Sequence, residues 1–290
     1  FGPLGNKPRC SGLGWTILRT KRENVVNAAS AGGSNSQSLD LGRFLRCGKN
    51  VLQGPAGMCR VRPENFERRF TMGLPVLYRS VLYIPGSRAR ALDKARSLDV
   101  DAIIFDLEDA VAPDEKTAAR ATLASELAAA GYGHRKRIVR INGLETDWGQ
   151  DDARALADMD CDAVLLPKVE GKSDIDALAA ILPDLPVWCM METPRSCLNA
   201  LEIADCDAVQ GFVLGTNDLA KDIGCATGGD RMAMQTGIQI CVMAARAAGI
   251  ACIDGVYNAF KDDDGLTTEC EQGRAWGMDG KTLILSLIHI

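Results

Sequence analysis

From Tyr78 onward, short runs of apolar and β-branched residues alternate with stretches whose apolar residues recur at helical spacing. The runs predict eight strands, at residues 80–86, 102–108, 137–142, 163–169, 187–192, 208–215, 251–257 and 281–284. The stretches between them predict helices within residues 90–98, 114–130, 174–182, 194–204, 232–249 and 266–277. The chain therefore has the pattern of repeated β/α units.

The predicted strands are continuously apolar, which is typical of parallel strands covered by helices. Eight such units favour an α/β fold in which the sheet closes into a TIM (β/α)8 barrel. A doubly wound open sheet is the alternative, but no Gly-x-Gly-x-x-Gly follows the first strand. After the eighth strand the sequence runs LSLIHI without an amphipathic helix, so we expect a barrel truncated after strand eight.

The first part of the chain differs from the rest. Residues 1–75 lack steady periodicity and are rich in Gly, Ser, Asn and Arg, which predicts a disordered leader. Residues 1–70 contain 12 Lys or Arg against 4 Asp or Glu, as in an organelle transit peptide; Met72 suggests instead a start site behind a non-native extension. We predict a leader at 1–75, a barrel lyase domain at 76–284 and a non-matching tail at 285–290.

Charge and cysteine content narrow the class of partner and the compartment. The net charge is −5, and because residues 1–70 carry +8, the remainder carries −13, which disfavours nucleic-acid binding. No run approaches the roughly 18 apolar residues of a membrane span, so no membrane partner is expected. The 11 cysteines lack framework spacing, which indicates an intracellular location, either cytoplasmic or, given the leader, mitochondrial or otherwise organellar.

Two acidic residues, Glu192 and Asp218, each follow a predicted apolar strand. In a barrel the C-terminal strand ends and their loops form the active site, so both carboxylates are expected on one rim. The chain has 2 histidines and no Cys-x-x-Cys pair, so an oxygen-ligand site for Mg²⁺ is favoured over a zinc site. Each also has a structural interpretation, Glu192 as an acid at a helix N-terminus and Asp218 as an N-cap.

Further charged residues fall on the same predicted rim. Arg140 lies in a buried-type strand, where it pairs with the acids of DLED (106–109), binds a substrate carboxylate, or does both. The DLED acids suit the orientation of Arg140, or of a water on the cation, better than direct metal ligation. A basic cluster near the first helix is either a solvated face or a phosphate-binding group; it consists of Arg88, Arg90, Lys94 and Arg96.

Several motifs in order carry a resemblance over about residues 79–284. RSVLYIPGS, DLEDAVAPDEK, VRIN, LLPKVE, ETP, NDLA and GMDGKTLI together resemble the citrate lyase β-subunit-like branch of the HpcH/HpaI aldolase family, which includes malyl-CoA, citramalyl-CoA and citryl-CoA lyases. The resemblance implies a TIM barrel of the phosphoenolpyruvate/pyruvate-binding type. It also implies a Mg²⁺-dependent lyase that cleaves a β-hydroxyacyl-CoA into an acyl-CoA and a 2-oxo acid, assembled as a homo-oligomer, a trimer or hexamer.

The resemblance also assigns site residues by group. It makes Glu192 and Asp218 the metal ligands and Arg140 the residue that binds the oxo-acid carboxylate. From the DLED motif itself, Glu108 and Asp109 are predicted to be catalytic together with Arg140. The substrate-binding residues are Tyr83, Arg90, Lys94, Arg140 and Asp254. No lysine is needed for a Schiff base in this chemistry, so Lys168 is expected to pair with nearby acids.

Other functions remain open at this point. They are a CoA-independent aldolase for 4-hydroxy-2-oxo acids, a malyl-CoA thioesterase and a non-catalytic subunit. The basic cluster favours a CoA ester over a short aldol, which has no phosphates to bind. In CoA-lyase relatives a C-terminal segment supplies an acid for proton transfer; residues past Ile284 do not match it, so we expect low lyase activity from this chain.

Overall fold

The computed structural model describes residues 78–227, 229–259 and 261–284. The predicted leader at 1–75 and the predicted tail at 285–290 lie outside the described residues. In the described parts of the chain, no helix is long and apolar enough to cross a membrane.

Eight parallel strands form a closed barrel in sequence order, so the predicted TIM-barrel fold is confirmed. The strands are β1 (Ser80–Pro85), β2 (Ala102–Asp106), β3 (Lys136–Arg140), β4 (Ala163–Leu166), β5 (Val187–Met191), β6 (Val209–Leu214), β7 (Ala251–Asp254) and β8 (Gly280–Ile284). Because β8 pairs directly with β1, with Thr282 opposite Val81, the sheet closes without any residue of the predicted tail.

Helices follow the strands in β/α order. They are α1 (Ala89–Ala95), α2 (Lys116–Ala128), α3 (Gly149–Leu156), α4 (Lys172–Ala179), α5 (Pro194–Leu198), α6 (Ala200–Ala204), α7 (Thr216–Ile223), α8 (Gln235–Ala248) and α9 (Asp263–Ala275). Short 3₁₀ helices at Pro113–Glu115 and Met232–Met234 precede α2 and α8. Helix α7 ends at Ile223 and is capped by Gly224, whose φ of 77° is left-handed and favours glycine.

Alternate residues of each strand face two separate cores. Ile104 and Trp188 belong to a small buried cluster of strand residues, which fills the inside of the barrel. Phe105 and Cys189, each one position further along, pack in the larger cluster between the strands and the helices. The face on which a residue lies therefore decides whether its side chain can reach the centre of the rim.

Most of the strands end earlier than the sequence predicts. Asp106 accepts hydrogen bonds from the backbone N–H groups of Glu108 at 2.9 Å and Ala110 at 3.0 Å, which turns the chain after β2. Beyond β4, Lys168 has a φ of 53°, which is incompatible with a continuing strand. Polar residues predicted at the strand ends consequently lie partly in loops on the C-terminal rim of the barrel.

Candidate active site

A cavity of about 410 Å³ opens at the C-terminal ends of the strands. Its volume is within the range of small-molecule binding sites. Nine residues contribute polar side chains from strand ends and the following turns to its lining: Tyr83, Asp106, Asp109, Arg140, Glu192, Thr216, Asn217, Asp218 and Thr282. The structure thus brings the predicted metal ligands together with Arg140, Asp109 and Tyr83.

Glu192 and Asp218 come from neighbouring β/α units. Glu192 directly follows β5 and is 3% exposed, whereas Asp218 lies in the first turn of α7, after β6, with a side chain that is 36% exposed. Because β5 and β6 pair in parallel, both carboxylates reach the same side of the cavity. One is held inside the protein and the other is open to solvent.

Lys168 connects the two carboxylates. Its backbone N–H donates to Glu192 Oε1 at 2.8 Å, and its Nζ lies 3.5 Å from the same oxygen. The ammonium also donates to Asp218 Oδ2. The pairing of Lys168 with nearby acids, expected from the sequence, is therefore observed.

Burial and charge shift the ionisation of this group. Burial raises the pKa of Glu192, although the ammonium and backbone N–H of Lys168 act in the opposite direction. Partial burial would lower the pKa of Lys168, but its hydrogen bond to Asp218 and the charge of Glu192 raise it overall. A buried carboxylate of this kind gains stability from any cation that approaches it.

The pair of carboxylates fits a magnesium ion. Mg²⁺ is commonly held by one or two carboxylates, with water and substrate oxygens completing its shell. Among the described residues, no group of three or more His, Cys, Asp and Glu side chains is placed to hold a metal. As two carboxylates facing one cavity, Glu192 and Asp218 would hold a cation that shares its remaining positions with substrate and water, and they would suit Mg²⁺ better than zinc.

Arg140 is buried and makes a planar pair with Asp106. Its Nε donates to Oδ1 at 2.8 Å and its Nη2 donates to Oδ2 at 2.6 Å. The guanidinium carbon lies 5.1 Å from the centre of the Tyr83 ring. Although desolvation opposes its charge, Asp106 raises the pKa of Arg140 further, so it stays cationic. The predicted ion pair with the DLED acids is thus present, and it fixes the plane of the guanidinium.

The other two acids of this motif differ in environment. Glu108 Oε2 lies 2.8 Å from Arg140 Nη1 but accepts no well-aligned hydrogen bond, and burial raises the pKa of Glu108 to about 8. Asp109 lies 3.5 Å from the same nitrogen, and its side chain is 73% exposed. Glu108 can therefore exchange a proton near neutral pH, whereas Asp109 borders the open cavity.

Three of the predicted substrate-binding residues do not line the cavity. Arg90 and Lys94 are exposed on α1, outside the cavity wall. Asp254 is 1% exposed and contacts Arg231 Nη1 at 2.7 Å and Lys281 Nζ at 3.3 Å. Ile253 occupies the barrel interior, so the next residue, Asp254, faces the helices, and the predicted substrate contact by Asp254 finds no support in the geometry.

Two residues near the centre of the site were not predicted. Gly215, at the end of β6, passes directly beside Glu192, and Thr282 of β8 lines the cavity while donating to the backbone O of Asp254 at 2.8 Å. Both lie in the quoted motifs or next to them, GTNDLA and GKTLI. Glycine directly before a motif acid is the signal that could have identified the first.

Comparison with known proteins agrees with the barrel fold. The family model described as HpcH/HpaI aldolase/citrate lyase matches residues 79–286. A Cereibacter sphaeroides protein named (3S)-malyl-CoA thioesterase is 59% identical over 207 residues, which cover 71% of this chain and 73% of the relative.

Two solved structures from Mycobacterium tuberculosis are similar at a TM-score of 0.65 and 30% identity. One is a citrate lyase β subunit in complex with oxaloacetate and magnesium; the match covers 73% of this chain and 94% of that one. The other holds magnesium, acetoacetate and coenzyme A; the match covers 74% of this chain and 79% of that one. The resemblance inferred from the motifs is therefore confirmed.

Proposed function

Because the chain belongs to the HpcH/HpaI aldolase/citrate lyase family, we propose that it is a Mg²⁺-dependent enzyme that acts on a β-hydroxyacyl-CoA ester of the malyl-CoA type. The observation that carries this proposal is the convergence of Glu192 and Asp218 with Arg140 in one cavity. Two carboxylates suit a hard divalent cation, and a buried guanidinium suits a substrate carboxylate. The relatives supply the substrate class.

In this proposal Glu192 and Asp218 hold the cation through their carboxylate oxygens. When bound, Mg²⁺ supplies positive charge that stabilises negative charge developing on a substrate oxygen. Arg140 has five N–H donors, and its two bonds to Asp106 leave others for a carboxylate of the substrate. Arg140 thus orients the acid end of the ester beside the two metal ligands.

Glu108 is the proposed proton carrier. With a pKa of about 8 it is mostly protonated at neutral pH, so it can donate a proton and later take one back. The exposed basic residues Arg88, directly before α1, and Arg90, in its first turn, lie where they would meet the phosphates of the CoA portion outside the cavity. Lys94 of α1 is proposed to belong to the same surface.

We favour thioester hydrolysis as the net reaction, because the relative named as a malyl-CoA thioesterase matches the barrel at 59% identity. Water adds to the thioester carbonyl carbon, the C–S bond breaks, and the proton from water ends on the CoA sulfur. The products are the free hydroxy acid and CoA.

Carbon–carbon cleavage, the reaction favoured by the motifs, is the second candidate. It is supported by the 30% identical citrate lyase β subunit solved with oxaloacetate and magnesium. Here the β-hydroxyl group loses its proton and becomes the carbonyl of a 2-oxo acid as the bond between Cα and Cβ of the acyl chain breaks. The acyl-CoA enolate that remains takes up a proton at Cα, and the C–S bond stays intact. Neither the CoA-independent aldolase nor the non-catalytic subunit gains support from a specific feature of the cavity. The homo-oligomer stays a prediction.

One experiment separates the two reactions. The protein is incubated with Mg²⁺ and (3S)-malyl-CoA, and free thiol, malate, acetyl-CoA and glyoxylate are quantified over time. Equal amounts of thiol and malate without glyoxylate support hydrolysis, whereas glyoxylate with acetyl-CoA supports the lyase. A chain that forms none of these products, on this ester and on citramalyl-CoA and citryl-CoA, would contradict the proposed function.

A further inference from the structure

Lys168 is held in a backbone conformation that lysine rarely adopts. Its φ of 53° lies in the left-handed region, which costs free energy for a residue with a side chain and little for glycine. In this conformation the backbone N–H meets Glu192 Oε1 at 2.8 Å while the side chain crosses to Asp218. The left-handed backbone thus directs the N–H of Lys168 to Glu192 and its ammonium to Asp218.

The Lys168 ammonium also differs in burial from one of its partners. Glu192 is 3% exposed, but the side chain of Lys168 is 44% exposed. A half-exposed lysine on a flexible stem can move its charge into water without unfolding anything around it. Its backbone N–H would remain on Glu192 when the side chain moves, because that bond depends only on the chain conformation.

We propose that the Lys168 ammonium serves as an internal counter-cation between Glu192 and Asp218, and that a divalent cation binds these carboxylates in exchange for it. The inference rests on the proposed Mg²⁺ site. Two positive charges cannot share the same pair of carboxylates without strong repulsion. The affinity for metal is therefore set by an exchange between an ammonium and a metal ion, and contacts to Lys168 hold both carboxylates in place before the metal binds.

The change in metal affinity on removing Lys168 has opposite signs for a lysine that competes with the metal and for one that only supports its ligands. If Lys168 only held Asp218 in position, its removal would weaken metal binding. If it competes with the metal, removal of its charge leaves two uncompensated carboxylates and strengthens metal binding. The neutral substitution Lys168→Met retains the length of the stem and the backbone N–H, so it isolates the charge.

The test measures metal affinity without substrate. Chelator-treated wild type, Lys168→Met and Lys168→Ala are titrated with Mg²⁺ by calorimetry and with Mn²⁺ by electron paramagnetic resonance of the free ion. Lys172→Met is the matched control, because Lys172 is also half exposed and ion-paired, to Asp176 on its own helix, and its loss changes the net charge equally. The thermal midpoint of each variant is recorded with and without Mg²⁺.

We expect Lys168→Met and Lys168→Ala to bind both ions about tenfold more tightly than wild type, while Lys172→Met stays within about twofold. In chelator, Lys168→Met should unfold at a lower temperature than Lys172→Met and should gain more from Mg²⁺. Unchanged or weaker metal binding in both Lys168 variants, with wild type binding normally, would overturn the exchange alone. Absence of Mg²⁺ and Mn²⁺ binding in wild type would overturn both the exchange and the proposed metal site.

Discussion

Gly215 and Glu192 approach so closely that a Cβ added to Gly215 would lie 2.4 Å from the Cβ and 2.6 Å from the Oε2 of Glu192. The φ of Gly215 is −97°, so glycine is required here by the close approach and not by the backbone angle. The backbone N–H of Gly215 also donates to the O of Met191 at 3.1 Å, which ties the end of β6 to the residue before Glu192. The position of the buried carboxylate therefore depends on the absence of a side chain on the neighbouring strand.

Gly215→Ala should displace the Glu192 carboxylate and weaken Mg²⁺ binding by about tenfold or more, since metal sites tolerate little displacement of their ligands. Calorimetric titration with Mg²⁺ measures the change. Gly171→Ala is the control, because an added Cβ there meets nothing within 4 Å. Equal affinity in the two variants would show that Gly215 does not position the carboxylate.

Arg140→Lys should lower kcat/KM by about two to three orders of magnitude while leaving the fold intact, because a lysine cannot make the planar two-bond contact to Asp106 or orient a carboxylate in the same way. Arg137→Lys is the control at the opposite end of the same strand, where Arg137 pairs with Asp160 and Asp162. Steady-state kinetics on the CoA ester measure both. Similar losses in the two variants would argue against a role for Arg140 at the reacting centre.

Asp254→Asn should act on stability and leave substrate affinity largely unchanged. It removes one charge from a buried group in which Asp254 contacts Arg231 and Lys281, and Lys281 also contacts Glu269 at 2.6 Å. Unpairing a buried charge costs about 3–5 kcal/mol in the free energy of unfolding, whereas Asp176→Asn in an exposed pair costs about 1 kcal/mol or less. Denaturant unfolding measures the difference. A raised KM with an unchanged free energy of unfolding would show that Asp254 contacts the substrate.

Eight strands could be predicted because buried parallel strands appear in a sequence as continuous apolar runs. In such a run, for example ACID, apolar and polar residues do not alternate, so the sequence does not show which face of the sheet each residue lies on. For this reason the sequence does not reveal that Asp254, which the resemblance assigns to substrate binding, faces the helices. The left-handed backbone at Lys168 was invisible for a related reason, because lysine does not signal a positive φ as glycine does. That Glu192, Asp218 and Arg140 line one cavity could be predicted, because charged residues at or just after the ends of apolar strands are conspicuous in a sequence.

The raised pKa of Glu108 makes the free energy of unfolding fall as the pH rises. Its pKa is raised by burial from 4.5 to about 8, so between these values the folded protein holds a proton that the unfolded chain has lost. The contribution of Glu108 to the free energy of unfolding is fully present below about pH 4.5 and is lost as the pH rises through about 8. In metal-free buffer, Glu108→Gln should remove this decline.

The measurement for Glu108 is denaturant unfolding at several pH values with chelator present. The difference in free energy of unfolding between Glu108→Gln and wild type should change steadily across the window from about pH 4.5 to 8 and level off beyond it. Parallel curves for the two proteins across this window would show that Glu108 titrates near its ordinary pKa in the folded protein.

In the proposed function, Glu192 and Asp218 hold the Mg²⁺ on which the reaction depends. The most direct test is the dissociation constant for Mg²⁺ of Glu192→Gln, measured by calorimetry beside wild type and beside Glu202→Gln, an exposed substitution on α6 with the same charge change. We predict that Glu192→Gln weakens Mg²⁺ binding by at least about a hundredfold and that its activity no longer responds to added Mg²⁺, while Glu202→Gln behaves as wild type. A Glu192→Gln variant with wild-type Mg²⁺ affinity and wild-type metal dependence would contradict the claim.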